Sequence, residues 1–199
     1  MAGLLIVISG PSGAGKGTIY HSVLERRPEI VPSISITTRS PRSVETEGVD
    51  YFFRTEKEFS KMMEGDELLE YAKVFDHHYG TPKKRVLDIV ESGKTIMLEI
   101  DVQGAAQIKS KFPSCVCIFV MPPSFEILEN RLRGRATDSE ESIVKRLSKA
   151  RGELSTYELF DYIVFNDNLS EAIDQTVSII KAERNKVSRN ETKIKQLLK

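Results

Sequence analysis

Leu4-Leu5-Ile6-Val7-Ile8-Ser9-Gly10-Pro11-Ser12-Gly13-Ala14-Gly15-Lys16-Gly17-Thr18 is the stretch that decides the fold. It opens on a short, continuous apolar run, the pattern of a strand buried on both faces of a parallel sheet. A glycine-rich turn follows, and a helical stretch runs from about Lys16 to Arg27, stopped before Pro28. Gly10, Gly15 and Lys16 have the spacing of a phosphate-binding loop, in the strand–turn–helix setting that this motif requires. The glycines let the backbone wrap inward, so that successive amide N–H groups face phosphate oxygens. The positive end of the helix adds to the same field, and Lys16 brings a mobile full charge to the β and γ phosphates. All nine residues from Gly10 to Thr18 are therefore candidate ligands of a nucleoside triphosphate. A dinucleotide fingerprint is excluded, because Thr18 stands where its third glycine would be. Gly17 departs from the loop pattern, since a serine or threonine usually reaches magnesium from that position. No dedicated metal cage is expected. Mg²⁺ would be held mainly by phosphates and water, with Thr18 and Asp101 as candidate protein contacts.

Beyond the loop, Ile34 to Phe53 is rich in Ser, Thr and Arg and ends in Tyr51-Phe52-Phe53, which suggests short antiparallel strands. Thr55 and Glu58 form a capping-box pattern opening a helix to about Gly65. Leu68–Phe75 and Tyr79–Thr81 read as further short strands. Thr81-Pro82 reads as an N-cap followed by proline at the first helical position, with Gly93 ending that helix. Thr95–Asp101 and Val116–Met121 are buried-strand candidates. Ser124–Arg133 and Ser139–Tyr157 read as helices, Tyr162–Asn166 as a strand, and Leu169 onward as a long final helix whose tail beyond Lys186 is expected to fray. The pattern is β-α, an inserted strand-rich segment, then β-α-β-α-β-α. It predicts an α/β fold with a parallel sheet flanked by helices and a small antiparallel insertion.

The chain has 199 residues, with 40 % hydrophobic and 29 % charged, the composition of one soluble globular domain. Its 29 basic and 29 acidic side chains balance, which argues against non-specific binding to nucleic acid or an anionic membrane. No apolar run reaches the ~20 residues that span a bilayer, and no signal peptide is apparent. A cytoplasmic location is expected, as a monomer or small homo-oligomer. Cys115 and Cys117 would share one strand face as buried thiols. His21, His77 and His78 have no metal-ligand spacing, so surface roles are expected.

Ser35-Ile36-Thr37-Thr38-Arg39-Ser40-Pro41-Arg42 places two guanidinium groups three apart, beside several hydroxyls. Two arginines this close repel unless an anion sits between them, and a phosphate gripped by both fills that place. Read alone, both also suit a solvated surface, and Glu70 also suits an exposed strand position. In Thr95–Asp101, Met97, Glu99 and Asp101 share one face, with Asp101 at the carboxyl end, the edge where open parallel sheets bind ligands. Asp101 thus fits an acid near magnesium, while Glu99 suits either a supporting or a purely structural role. Arg131, Arg133, Arg135 and Arg146 form a basic run that suits either a solvated helix face or a phosphate-covering lid.

The loop Gly10–Thr18, the stretch Ser35–Arg42 with Tyr51, Glu70-Tyr71-Ala72, Tyr79-Gly80-Thr81, and Arg135 and Thr137 with Glu140-Glu141-Ser142 together resemble guanylate kinase. The resemblance runs from about Leu4 to Lys181 with the motifs in family order. It implies a P-loop NTPase-type fold with a core (about 1–32, 95–130 and 149–186), an inserted GMP-binding segment (about 33–94) and a helical lid (about 131–148). It implies that Arg39, Arg42, Tyr51 and Tyr79 bind the phosphate of GMP and that Ser35, Glu70 and Thr81, beside Gly80, read its guanine. Asp101, with Glu99, lies near the sugar or base. It also implies that Arg131, Arg135 and Arg146 belong to the lid or to ATP, and Asn166 to Asn168, following the last strand, are candidate neighbours of the adenine. The implied reaction is Mg²⁺-dependent transfer of the γ-phosphoryl group of ATP to GMP. The same positions make a kinase of another monophosphate, or a scaffold module that has lost catalysis, the poorer match.

Overall fold

The computed structural model describes residues 3–74, 76–134 and 140–199, and everything below refers to those. Phe75, Arg135 and Ser139 lie outside them, as does the segment between Arg135 and Ser139.

The elements run β1 (Leu4–Ser9), α1 (Lys16–Arg26), β2 (Ile30–Pro32), β3 (Ser35–Thr37), β4 (Tyr51–Phe53), α2 (Glu56–Glu64), β5 (Leu68–Val74) and β6 (His77–Pro82). They continue through α3 (Lys83–Glu91), β7 (Thr95–Glu99), α4 (Val102–Lys111), β8 (Val116–Met121), α5 (Phe125–Arg133) and α6 (Glu140–Leu154). After a 3-10 turn at Tyr157–Leu159 come β9 (Tyr162–Phe165), α7 (Leu169–Arg184) and α8 (Val187–Leu197).

Five strands in the order β2-β7-β1-β8-β9 form a parallel sheet. Alternate residues of β1 enter opposite cores, which is why the strand is apolar throughout rather than alternating. Leu4, Ile6 and Ile8 pack with Ile19, Tyr20 and Val23 of α1 and with Ile173 and Ile180 of α7. Leu5 and Val7 face the other way, toward Val86 of α3 and Ala105 and Ile108 of α4. Each such fully buried aliphatic side chain contributes about 1.5–3 kcal/mol of transfer free energy. Cys115 and Cys117 are buried thiols in this second core, as expected, with their sulfurs 3.4 Å apart.

The remaining strands form a second sheet, ordered β4-β3-β6-β5. Its β3–β6 and β5–β6 pairs are antiparallel as expected, but β3 and β4 pair in parallel, Ser35 opposite Tyr51 and Thr37 opposite Phe53. Parallel neighbours need a crossover of about a dozen residues, and the loop between them, which carries Arg39, Arg42 and Glu45, supplies it. The capping box at Thr55 and Glu58 is present in full.

Several expectations need correction. Thr81 is not an N-cap, because β6 continues through Pro82 and the Thr81 hydroxyl is engaged elsewhere. The strand expected over Thr95–Asp101 stops at Glu99, and Asp101 instead caps α4, accepting from the Gly104 N–H at 2.9 Å. The tail beyond Lys186 does not fray but forms α8. Arg189 holds it to the main body by donating to the Ser114 carbonyl at 2.8 Å, beside the buried Glu183. The three-residue β2 escaped the sequence pattern, because so short a run carries no periodicity.

Candidate active site

Successive carboxyl ends of the parallel strands deliver the groups that converge here: Gly10 after β1, Asp101 after β7 and Asn166 after β9. The loop after β1 turns by placing Gly15 at φ 90°, where a side chain would be strained. A Cβ there would also meet the Asn166 amide nitrogen at 2.2 Å. Asn166 donates to the Ala14 carbonyl at 2.8 Å, and Arg131 donates to the Asn166 carbonyl at 3.0 Å and to Ala14 at 3.5 Å. The loop's Ala14 carbonyl is thus tied down outside the cradle. Helix α1 starts at Lys16 with no side-chain cap and no acid in its first turn, so its positive end is available to an anion.

The loop separates two cavities. On one side lies a cleft of about 320 Å³ lined by Gly10, Ser12, Lys16, Ser35, Arg42, Tyr51, Glu70, Tyr79, Glu99, Asp101 and Arg146, with Lys149 and Glu153. On the other, Gly13, Gly15, Thr18, Arg131 and Asn166 line a hollow of about 310 Å³. Pro11 and Ala14 are buried beneath the loop, and Gly17 lies against Glu99. Arg39 lines a hollow that borders the cleft and shares Arg42, Tyr79 and Arg146 with it. Arg135 cannot be placed, lying outside the described residues. Asn168 lines neither cavity: its Oδ1 caps α7, accepting from Ser170 and Glu171 N–H at 2.9 and 3.2 Å.

Glu70 is the most unusual group in the cleft. It is only 3 % exposed. The Thr81 hydroxyl donates to its Oε1 at 2.6 Å. Burial pushes its carboxyl from the ordinary 4.5 up to about 7, with the nearby Asp101 charge pushing the same way and the Thr81 bond opposing. Gly80 is buried under this pair, against Leu68, Phe59 and the Glu70 carbonyl. Tyr51 and Tyr79 meet edge to face at 6.1 Å, and burial raises the Tyr51 hydroxyl above its usual range.

One of the two arginines of the insertion, Arg39, has a carboxylate partner within the chain. Glu45 pairs with the Arg39 guanidinium at 2.7 Å and accepts from the Arg42 backbone N–H at 2.8 Å. Arg39 also stands 5.5 Å over the Tyr51 ring. Glu45 gave no signal in the sequence beyond one more charge in a polar loop. Lys149 and Glu153 were missed as well. They lie on the turns of α6 that follow Arg146, and Lys149 sits 3.8 Å from Asp101 and 3.3 Å from Glu153. Their signal was the helical spacing from Arg146, which puts all three on neighbouring positions of one face. Arg146 itself reaches Ser12 at 3.3 Å, so α6 touches the phosphate loop directly.

The residues suit a thinly held magnesium ion. A Cβ on Gly17 would come within 3.2 Å of the Glu99 carboxylate, so an acid stands beside the position from which a hydroxyl usually reaches the metal. Thr18 opens onto the far hollow rather than the cleft that holds Asp101. No group of three or more His, Cys, Asp or Glu suited to hold a metal occurs among the described residues. His78 is used structurally: it stacks on Phe59 at 5.3 Å and bonds Glu56 at 2.8 Å.

Comparisons with known proteins agree with this geometry. The guanylate kinase family model matches residues 3–183. A guanylate kinase of Caldanaerobacter subterraneus is 52 % identical over 188 residues, covering 94 % of this chain and 91 % of that one. A guanylate kinase of Clostridioides difficile is 48 % identical over 94 % of this chain and 91 % of its own length. The crystal structure of guanylate kinase from Anaplasma phagocytophilum superimposes with a TM-score of 0.80 at 36 % identity, covering 94 % of this chain and 89 % of that one. With loop, cleft and buried carboxylate arranged as described, and relatives this similar along nearly the whole length, the chain belongs to the guanylate kinase family.

Proposed function

We infer that the chain transfers the γ-phosphoryl group of ATP to GMP, giving ADP and GDP. One observation carries the acceptor's identity: a carboxylate buried at Glu70, held by Thr81, in the cleft that the phosphate loop closes at its other end. Guanine presents two adjacent donors, its ring N–H and its exocyclic amine, and a carboxylate accepts both. Adenine has a bare acceptor at that ring position and would leave buried groups unpaired, which is how large discrimination arises.

In this reading Arg39, Arg42, Tyr51 and Tyr79 hold the GMP phosphate, and Ser35, Glu70 and Thr81 read the base over Gly80. Asp101 and Glu99 serve the sugar side. Residues Gly10 to Thr18 wrap the phosphates of ATP, with Lys16 on the β and γ groups. Of the two asparagines expected near the adenine, Asn166 stands at the ATP side, while the Asn168 side chain is spent on the α7 cap. Arg131, Arg135 and Arg146 stabilise charge on the moving group. The insertion (about 33–94) and lid (about 131–148) close over a single core, because an open site would let water take the phosphoryl group.

An oxygen of the GMP phosphate attacks the γ-phosphorus, and the bond from that phosphorus to the β–γ bridging oxygen breaks, leaving ADP. The phosphate of GMP has its second pKa near ~6 and is largely ionised at neutral pH. No general base is needed, and alignment with charge stabilisation supplies the rate. Mg²⁺ would be held by phosphates and water, with Glu99 and Asp101 of the cleft as candidate protein contacts, and would neutralise charge on the transferring group. Among the described residues no helix is long and apolar enough to cross a membrane. The enzyme is proposed to work on free nucleotides in the cytoplasm, without nucleic-acid or membrane partners, as a monomer or small homo-oligomer. A coupled assay of ADP formation across nucleoside monophosphates tests the assignment. GMP should be turned over and AMP and UMP should not. Turnover of AMP or UMP equal to that of GMP would overturn it.

A further inference from the structure

Glu70 belongs to the small sheet, yet one side of its carboxylate lies against α4 of the main layer. A Cβ on Gly104 would stand 2.3 Å from Glu70 Oε2 and 2.9 Å from its Cδ, far inside contact distance. Neither partner is able to retreat easily. The Thr81 hydroxyl pins Oε1 at 2.6 Å, so swinging the carboxylate away breaks a buried hydrogen bond. Helix α4 is fastened to β5 on both sides of Glu70. Gln107 grips Tyr71 as a neighbouring strand would, its Nε2 donating to the Tyr71 carbonyl at 2.6 Å and its Oε1 accepting from the Tyr71 N–H at 3.3 Å. Lys111 donates to the Leu69 carbonyl at 2.8 Å.

We propose that Gly104 is a positioning residue for base selection, the bare spot on α4 that lets the helix close on Glu70 and set where its carboxylate meets guanine. This rests on the assignment of Glu70 to guanine made above. Gly104 does not line the cleft and acts only through Glu70. Its backbone has no positive φ, so alanine fits the helix itself and by propensity alone would be favourable there. Damage from an added methyl therefore reports the contact with Glu70.

The test is Gly104→Ala, Glu70→Asp and the double variant, with KM measured separately for GMP and ATP. Gly104→Ala should raise KM for GMP by about tenfold or more, since displacements of an ångström at a recognition site have effects of this order. KM for ATP should change less than about twofold, because the loop lies elsewhere. Aspartate is one methylene shorter and withdraws from the new methyl, so the double variant should lose less than the product of the two single effects. A wild-type KM for GMP in Gly104→Ala, independent multiplication of the two effects, or a parallel loss for both nucleotides would overturn the proposal. If Gly104→Ala does not fold, Gln107→Leu decides. It removes one of the two ties between the helix and β5 without adding an atom beside Glu70, and an unchanged KM for GMP would overturn the proposal. Glu70→Gln separates the two readings. If GMP preference survives that substitution, the guanine assignment fails; if it collapses while Gly104→Ala behaves as wild type, only the positioning role fails.

Discussion

In the proposed function the ligand-facing groups between Gly10 and Lys16 are backbone amides, a helix end and the Lys16 ammonium, brought together by residues adjacent in the chain. Around Glu70 the ligand-facing group is one side chain, and what places it comes from Thr81 on the next strand and from Gly104 on a helix of another layer. A site made mostly of backbone and one charge is local, so it recognises what every nucleoside triphosphate shares. A site made of one buried carboxylate is non-local and intolerant, so it can separate two purines. On this proposal the phosphate loop supplies affinity for a class, and the carboxylate pocket supplies choice within one.

The sharpest break in that comparison is a loop variant that leaves the pocket alone. Lys16→Met removes the loop's one full charge without touching the core. It should lower kcat at least about a hundredfold, the scale for losing one group that stabilises transition-state charge. Thermal unfolding should stay near wild type. Near-normal turnover would contradict the loop's assigned part.

The pocket should in turn respond to pH where the loop does not. Glu70 is pushed up to about 7 and must be a carboxylate to accept from guanine. KM for GMP should therefore fall as pH rises from about 6 to about 8, approaching tenfold per unit on the acid side, while KM for ATP moves little. Part of that slope belongs to the GMP phosphate, which titrates near ~6. The part belonging to Glu70 is what disappears in Glu70→Gln. Ligand-free stability should run the opposite way. A folded pKa above the unfolded value favours the protonated, folded state, so this group's contribution is present below about 4.5 and lost as pH rises through about 7. A GMP dependence identical to that of ATP would remove the distinction between the two regions.

The smallest expected effect separates two neighbouring asparagines. Asn168→Ala should lower stability by about 1 kcal/mol through the lost α7 cap, measured by thermal or denaturant unfolding, and leave KM for ATP unchanged. A raised KM for ATP would restore Asn168 to the nucleotide site.

This difference between the regions also explains what the sequence disclosed. The loop was legible because strand, glycines, lysine and helix follow one another within a single motif. The parallel sheet was legible because β1, β7 and β8 are apolar runs of the right length, although the pattern extends the strand to Asp101, which is a helix cap. Glu70 entered only through family resemblance, since nothing local marks a strand glutamate as buried. Thr81 looked like a cap because Thr-Pro is a helix-start signal, and only the β5–β6 pairing shows that its hydroxyl is needed by Glu70. Gly104 was silent altogether, because its meaning is the absence of a Cβ beside an atom of a distant residue. Glu45 was silent because a charged side chain does not announce its partner, and Lys149 and Glu153 showed only as helical spacing from Arg146.

The central claim is that a buried carboxylate chooses the base. Its most direct test is kcat/KM for GMP and for AMP, measured side by side in the wild-type enzyme and in Glu70→Gln. The expected result is a GMP-over-AMP ratio that falls by about a hundredfold or more, on the scale of unpairing buried polar groups, while KM for ATP is nearly unchanged. An unaltered ratio in Glu70→Gln would contradict it.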